Sequence, residues 1–146
     1  MRNALEPYLT TIDHVGVAVA ELDAAIDFYA DVFGMHATHT ETNEQQGVRE
    51  AMLHPAGDPT GPALQLLAPL TAQSTIAKFL DDKGPGLQQL AYRVTDVDAA
   101  AAALRAKGLR MLHESPQRGT ADSRVNFVHP KDAGGVLVEL VEPAAG

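Results

Sequence analysis

The chain has 146 residues, a formal net charge of −8, no cysteine and 45% hydrophobic residues. That length fits one compact domain with one core, and the acidic balance without any Lys/Arg block excludes nucleic acid, whose phosphates reward a dense basic face. Lack of cysteine removes disulfide and thiolate chemistry; no stretch reaches the ~20 apolar residues of a membrane span, and the opening Met1-Arg2-Asn3-Ala4-Leu5-Glu6-Pro7 has no apolar signal region, so a cytoplasmic protein with no membrane partner is expected.

From Thr11 to Val19 the residues Val15, Val17 and Val19 alternate with Ile12, His14, Gly16 and Ala18 on the opposite face, the period of a half-buried strand. A helix follows, with Asp23 as its expected cap, Ile26, Tyr29 and Phe33 on one stripe and Gly34 as its stop. Further strands are predicted at about Ala37 to Glu41, Val48 to His54 and Ala63 to Leu67, with the Gly57-Asp58-Pro59-Thr60-Gly61-Pro62 cluster as a turn. The Thr71 to Lys83 link predicts a short helix. Beyond it come a strand at about Leu87 to Val94, a helix at about Val97 to Lys107 closed by Gly108, and strands near Met111, Val125 and Val136.

This order is a repeat. Ile12 to Val19 aligns with Leu87 to Val94, Met52-Leu53-His54-Pro55 with Phe127-Val128-His129-Pro130, and Leu64 to Pro69 with Val138 to Pro143, at a shift of 74 to 75 residues. The predicted fold is α+β: two repeated βαβββ modules forming a curved eight-stranded sheet around a metal cavity, with the helices on one side. We read residues 1–146 as a single domain, with repeat one at about 11–70, a linker at about 71–84 and repeat two at about 85–143.

Strand parity places His14, Gln65, Gln89 and Glu139 on the face opposite the valine and leucine rows. A single strand His or Gln is usually structural or solvated, but four ligand-type residues at matched positions predict a mononuclear divalent metal site with a nitrogen and oxygen shell. One carboxylate, two amides and one imidazole leave a net charge of +1 on a bound dication, which suits a Lewis acid with open positions. Glu50 is the second carboxylate. It aligns with Val125, and Glu139 aligns with Gln65, so both acids break the duplicated pattern. His36 and His39, three apart in a predicted strand, are expected to face opposite ways; His54 and His129 precede prolines at matched strand ends, and His113 has no partner in view. No GxGxxG, P-loop or GxSxG motif is present.

The segments Ile12-Asp13-His14-Val15-Gly16-Val17-Ala18-Val19, Gln46-Gly47-Val48-Arg49-Glu50-Ala51-Met52-Leu53, Phe127-Val128-His129-Pro130-Lys131 and Gly135-Val136-Leu137-Val138-Glu139-Leu140 together resemble the methylmalonyl-CoA epimerase family of the vicinal oxygen chelate superfamily. The resemblance runs from about Thr11 to Pro143. It implies a divalent ion, cobalt first and otherwise zinc, manganese, nickel or magnesium, at His14, Gln65, Gln89 and Glu139. It also implies Glu50 and Glu139 as an acid/base pair that interconverts (R)- and (S)-methylmalonyl-CoA by 1,1-proton transfer. The family usually has His where this chain has Gln89. An acyl-CoA thioester is the expected substrate and a homodimer the expected assembly, with Lys78, Lys83, Arg118 and Arg124 as candidates for the coenzyme A phosphates. Two rivals share the scaffold: a glyoxalase I-like lyase, and a metal-free ligand-sequestering module. The Arg49-Glu50-Ala51-Met52 stretch favours the epimerase over the lyase. A ring-cleaving dioxygenase would need two His and one carboxylate, which a single matched His does not supply.

Overall fold

A computed structural model describes residues 3–145 and, among them, eight strands and three α-helices. These fall into two compact units: His14–Gln88, and the described parts of Met1–Asp13 and Gln89–Gly146. The boundaries cut through β1 (Leu9–Ala18) and β5 (Gly86–Val94).

In the unit His14–Gln88, β1 leads into α1 (Leu22–Phe33), then β2 (Met35–Asn43), β3 (Val48–Pro55) and β4 (Ala63–Pro69), with strand order β2-β3-β4-β1. The expected cap shifts by two residues: Glu21, not Asp23, accepts the Ala24 N–H, and Asp23 sits in the first turn. Gly34 closes α1 at φ 69°, a left-handed conformation that glycine adopts at no steric cost. Ile26 and Tyr29 pack with Val17, Leu22, Ala51, Leu53 and Leu66 into the core. Phe33 does not: it is 62% exposed and meets the rings of Phe28 and Tyr29 on the outside of the helix.

The predicted linker helix is α2 (Thr75–Lys83), capped by Ser74, whose Oγ accepts the Ala77 N–H. Its Ile76, Phe79 and Leu80 pack on Ala18, Val48 and Leu67. Those three residues share strand parity with His14, Glu50 and Gln65, so α2 covers the face opposite α1, correcting the expectation that the helices lie on one side.

In the other unit β5 is followed by α3 (Val97–Ala106), β6 (Gln117–Arg118), β7 (Arg124–Val128) and β8 (Val138–Glu142), in sheet order β5-β8-β7-β6. Asp96 caps α3 by accepting from Ala99 N. Val97, Ala100 and Leu104 bury against Val94, Val128 and Leu140, and the segment carrying Leu5 and Tyr8 joins the same cluster. The strand expected near Met111 contracts to one bridge, Met111 to Val128, and the one expected near Val136 begins at Val138.

Register carries the duplication into three dimensions. Gln65 lies opposite Gly16 and Met52, and its counterpart Glu139 lies opposite Ala91 and Phe127. Even the turn between second and third strands is kept: Gly47 has φ 71°, and Asp122, at the same offset, has φ 59°. That left-handed conformation is uncommon for a residue with a Cβ, and Arg118 Nε holds the Asp122 carboxylate at 2.7 Å.

One ion pair outside the site yields a test. Arg110 donates to Asp132 from its backbone N–H and from two guanidinium nitrogens, tying the start of the bridge strand to the turn at Pro130–Asp132. These bonds favour the carboxylate and hold the Asp132 pKa at about 2, below its ordinary value. Because the folded pKa is depressed, the stabilisation is present above the unfolded value near ~4 and fades as pH falls toward 2. Asp132→Asn should therefore lower the melting temperature at pH 7, with the gap to the parent closing between pH 5 and pH 2. A gap that stays constant over that range would remove the pair from the stability account.

Candidate active site

In the unit His14–Gln88, β1 and β4 run parallel with Gly16 opposite Gln65, so His14, two residues before Gly16, points to the same face as Gln65. The antiparallel β3–β4 pair puts Met52 opposite Gln65 and Glu50 one diagonal step away. Across that diagonal Gln65 Nε2 donates to Glu50 Oε2 at 3.1 Å. All three of these polar side chains are buried, Glu50 to 2% exposure. Burying a carboxylate is costly unless donors replace its water, and the Gln65 amide is one such donor.

The other unit builds a second amide–carboxylate pair, this time across parallel strands. Glu139 lies opposite Ala91, Gln89 sits two residues earlier on β5, and Gln89 Nε2 donates to Glu139 Oε1 at 3.0 Å. Glu139 is buried beside the small apolar cluster of Ala91, Val125 and Val141. Val125 is the counterpart of Glu50 in the duplicated sequence, and it is fully buried. The expected shared face therefore holds within each unit, His14 with Gln65 and Glu50, and Gln89 with Glu139. Each Gln spends its amide nitrogen on a carboxylate, which sets the amide oxygen at the opposite end of the planar group.

The donor types suit a divalent ion. Imidazole nitrogen, amide oxygen and carboxylate oxygen are borderline to hard ligands, and Gly16 and Ala91, opposite Gln65 and Glu139, add almost no side-chain bulk there.

Of the four basic candidates, Arg118 is paired with Asp122, and Arg124 with Asp98 and Glu142. Lys78 and Lys83 lie on α2, the helix that covers the polar face of its unit, and Lys83 Nζ sits 5.8 Å from the Phe79 ring centroid. His54 is structural: its two ring nitrogens meet Thr38 Oγ1 at 2.8 Å and the Gly61 carbonyl at 3.0 Å, fixing the turn expected at 57–62.

Sequence reasoning missed three features. The Asp13–Arg93 pair at 2.7 Å pins the strand residue next to His14. Asn126, buried, accepts from His113 N and donates to His113 O. The third is at His36 and His39, which do not face opposite ways. The β2–β3 register pairs Ala37 with Leu53 and then His39 with Met52, so Thr38 is an extra residue in a bulge. His36, opposite His54, and His39, opposite Met52, consequently share a face.

A duplicated βαβββ unit that presents buried carboxylate and amide pairs on one face defines a class of protein, and residues 13–127 match the family model of the glyoxalase/bleomycin resistance protein/dioxygenase superfamily. A crystal structure of methylmalonyl-CoA epimerase from Mycobacterium tuberculosis is 54% identical and superposes with a TM-score of 0.91, covering 99% of this chain and 93% of that one. A methylmalonyl-CoA epimerase from Streptomyces coelicolor in complex with 2-nitronate-propionyl-CoA is 47% identical with a TM-score of 0.88, over 94% of this chain and 99% of that one. The ethylmalonyl-CoA/methylmalonyl-CoA epimerase of Cereibacter sphaeroides is 34% identical over 132 residues, 88% of this chain and 95% of the relative. The chain belongs to this superfamily and, within it, to the methylmalonyl-CoA epimerases.

The Gln65–Glu50 pair gives a direct test. Removing the donor to a buried carboxylate by Gln65→Leu should cost about 1–3 kcal/mol in urea unfolding without added metal, whereas Gln117→Leu, at a half-buried position on β6, should change stability far less. Equal effects would show that the buried amide is not holding Glu50.

Proposed function

We propose that the chain interconverts the (R) and (S) epimers of methylmalonyl-CoA with Glu50 and Glu139 as the two proton-transfer groups. The observation that carries this reading is the pair of buried carboxylates, each held by a glutamine amide, in a chain of the epimerase family. The relatives named for methylmalonyl-CoA give the substrate class, an acyl-CoA thioester.

Inversion at the α-carbon requires a proton to leave one face and arrive on the other. Glu50 accepts from one face and Glu139 donates to the opposite face, with the roles exchanged in the reverse direction. Gln65 Nε2 fixes the Glu50 carboxylate for that transfer, and Gln89 Nε2 fixes Glu139. His14, Gln65, Gln89 and Glu139 would hold one divalent ion, cobalt by family resemblance. Bound there, the ion supplies Lewis acidity that offsets the negative charge developing on the substrate oxygens. Gln89 gives an amide oxygen where imidazole is usual, a harder and weaker ligand for late transition metals, so this chain should lean toward oxygen-preferring ions.

Lys78 and Lys83 on α2 are our candidates for the coenzyme A phosphates, because Arg118 and Arg124 already hold carboxylates. We read the two repeats as one functional domain, since ligands and acids come from both, and the assembly as a cytoplasmic homodimer. No helix among the described residues is long and apolar enough to cross a membrane. The lyase and sequestration readings are not favoured, since the named relatives are epimerases, and the burial of both Glu50 and Glu139 supports the epimerase reading.

Elemental analysis beside a stopped epimerisation assay separates the roles. Glu50→Gln should keep the parent's metal content and lose about 10² to 10⁴ in rate. Gln89→Leu should lose metal and activity together, while Gln89→His keeps activity and holds cobalt or zinc more tightly. A Glu50→Gln variant within about tenfold of the parent rate would remove Glu50 from proton transfer.

A further inference from the structure

The bulge at Thr38 has a physical cost and a consequence. Up to Ala37 the β2–β3 register, continued without a break, would set Glu41 opposite Arg49, an opposite-charge pair of the kind that stabilises neighbouring strands. The extra residue shifts the register by one, and Glu41 instead faces Glu50. Like charges directly opposite on a sheet are destabilising, and bulges are frequent beside active sites, where they re-aim side chains. The same shift brings His39, two residues before Glu41 and so on its side of the strand, onto the face of Glu50, and His39 Nε2 lies 2.8 Å from Glu41 Oε2. Exposure rises steadily along this line, from 2% at Glu50 to side-chain values of 15% at Glu41 and 42% at His39.

We propose that Glu41 and His39 form the proton outlet of Glu50, carrying the abstracted proton to solvent and returning one in the reverse direction. The proposal rests on Glu50 acting as a base. A carboxylate buried to that degree, once protonated, must shed its proton before the next turnover in the same direction. The Glu50 carboxylic acid passes its proton to the Glu41 carboxylate, across hydrogen-bond reach or one bridging water. Glu41 passes it to the neutral His39 imidazole at Nε2, and the imidazolium releases a proton to water. Each transfer breaks one O–H or N–H bond and forms another, and Glu50 is left as the carboxylate. Imidazole suits the outer position because it exchanges protons readily near neutral pH.

A reset step has a kinetic signature that packing defects lack. It follows product release, so slowing it lowers kcat while kcat/KM, measured when substrate is scarce and the free enzyme has time to reset, is preserved. His39 is exposed, so His39→Ala should fold as the parent does. With the metal-loaded enzyme and a coupling reaction that removes product, His39→Ala and Glu41→Gln should each lower kcat about tenfold or more while kcat/KM stays within about twofold. Imidazole in the buffer should restore kcat for His39→Ala in proportion to its concentration and leave the parent unchanged. Unchanged kcat in both variants, or kcat and kcat/KM falling together without imidazole rescue, would overturn the relay. A Glu50→Gln arm separates the two ideas: adding His39→Ala to it should slow nothing further, since the outlet has no base to serve. If Glu50→Gln turns over like the parent, the base assignment fails first and the relay with it; if it is inactive and His39→Ala has the parent's kcat, the relay alone fails.

Discussion

A carboxylate taken out of water must be given hydrogen-bond donors, and the arrangement of polar groups in this chain follows from meeting that demand twice. Glu50 and Glu139 are buried in separate units, and a glutamine on the adjacent strand reaches diagonally to each. Antiparallel pairing of β3 with β4 brings the Gln65 amide to Glu50, and parallel pairing of β5 with β8 brings the Gln89 amide to Glu139, with Gly16 and Ala91 as the small residues opposite Gln65 and Glu139. Hydrogen bonds to charged groups are worth roughly 1.5–3 kcal/mol, enough to hold a flexible Glu side chain in one orientation. Under the proposed reading, the same two amides that orient the acids turn their oxygens to the metal, so ligation and proton transfer share one scaffold.

The duplicated fold supplies symmetry, and the chemistry uses the departures from it. His14 answers to Gln89, Gln65 to Glu139 and Glu50 to Val125, so the two halves present unlike side chains from like positions. Neither half alone repeats the other's donors. The helix α2, without counterpart among the described residues of the second half, lies against Ala18, Val48 and Leu67 and closes one end of the polar face in its unit with apolar side chains. That covering lies on the face that carries His14, Gln65 and Glu50, all of which are buried.

Much of this was legible in the sequence because it depends on period and offset. Alternation in Ile12 to Val19 and in Leu87 to Val94 fixed which residues face α1 and α3 and which face away, and the repeat shift placed the ligand candidates in register. What escaped depends on interactions between residues distant in sequence. The Thr38 bulge has no signal in Ala37-Thr38-His39, since any residue can occupy it, and it inverted the inferred orientation of His39 relative to His36. Phe33 fits the apolar stripe of α1 yet lies outside the core: it is the last residue of the helix, and its ring meets those of Phe28 and Tyr29 instead. The side taken by α2 could not be read from a short amphipathic segment, whose period is the same whichever face it meets. The cap at Glu21 was missed for a simpler reason: Asp23 is a stronger capping type, but the chain enters the helix two residues earlier.

Two-carboxylate inversion is the central claim, and proton bookkeeping at the α-carbon tests it most directly. The parent protein, loaded with a divalent ion, is mixed with a single epimer of methylmalonyl-CoA in deuterated water, and the deuterium content of each epimer is followed by mass spectrometry after stereospecific separation. The account predicts that every molecule of inverted product carries one α-deuteron from its first appearance, while the unreacted epimer gains deuterium more slowly. Inverted product that retains the original α-proton, or no α-deuteration in the presence of metal, would contradict it.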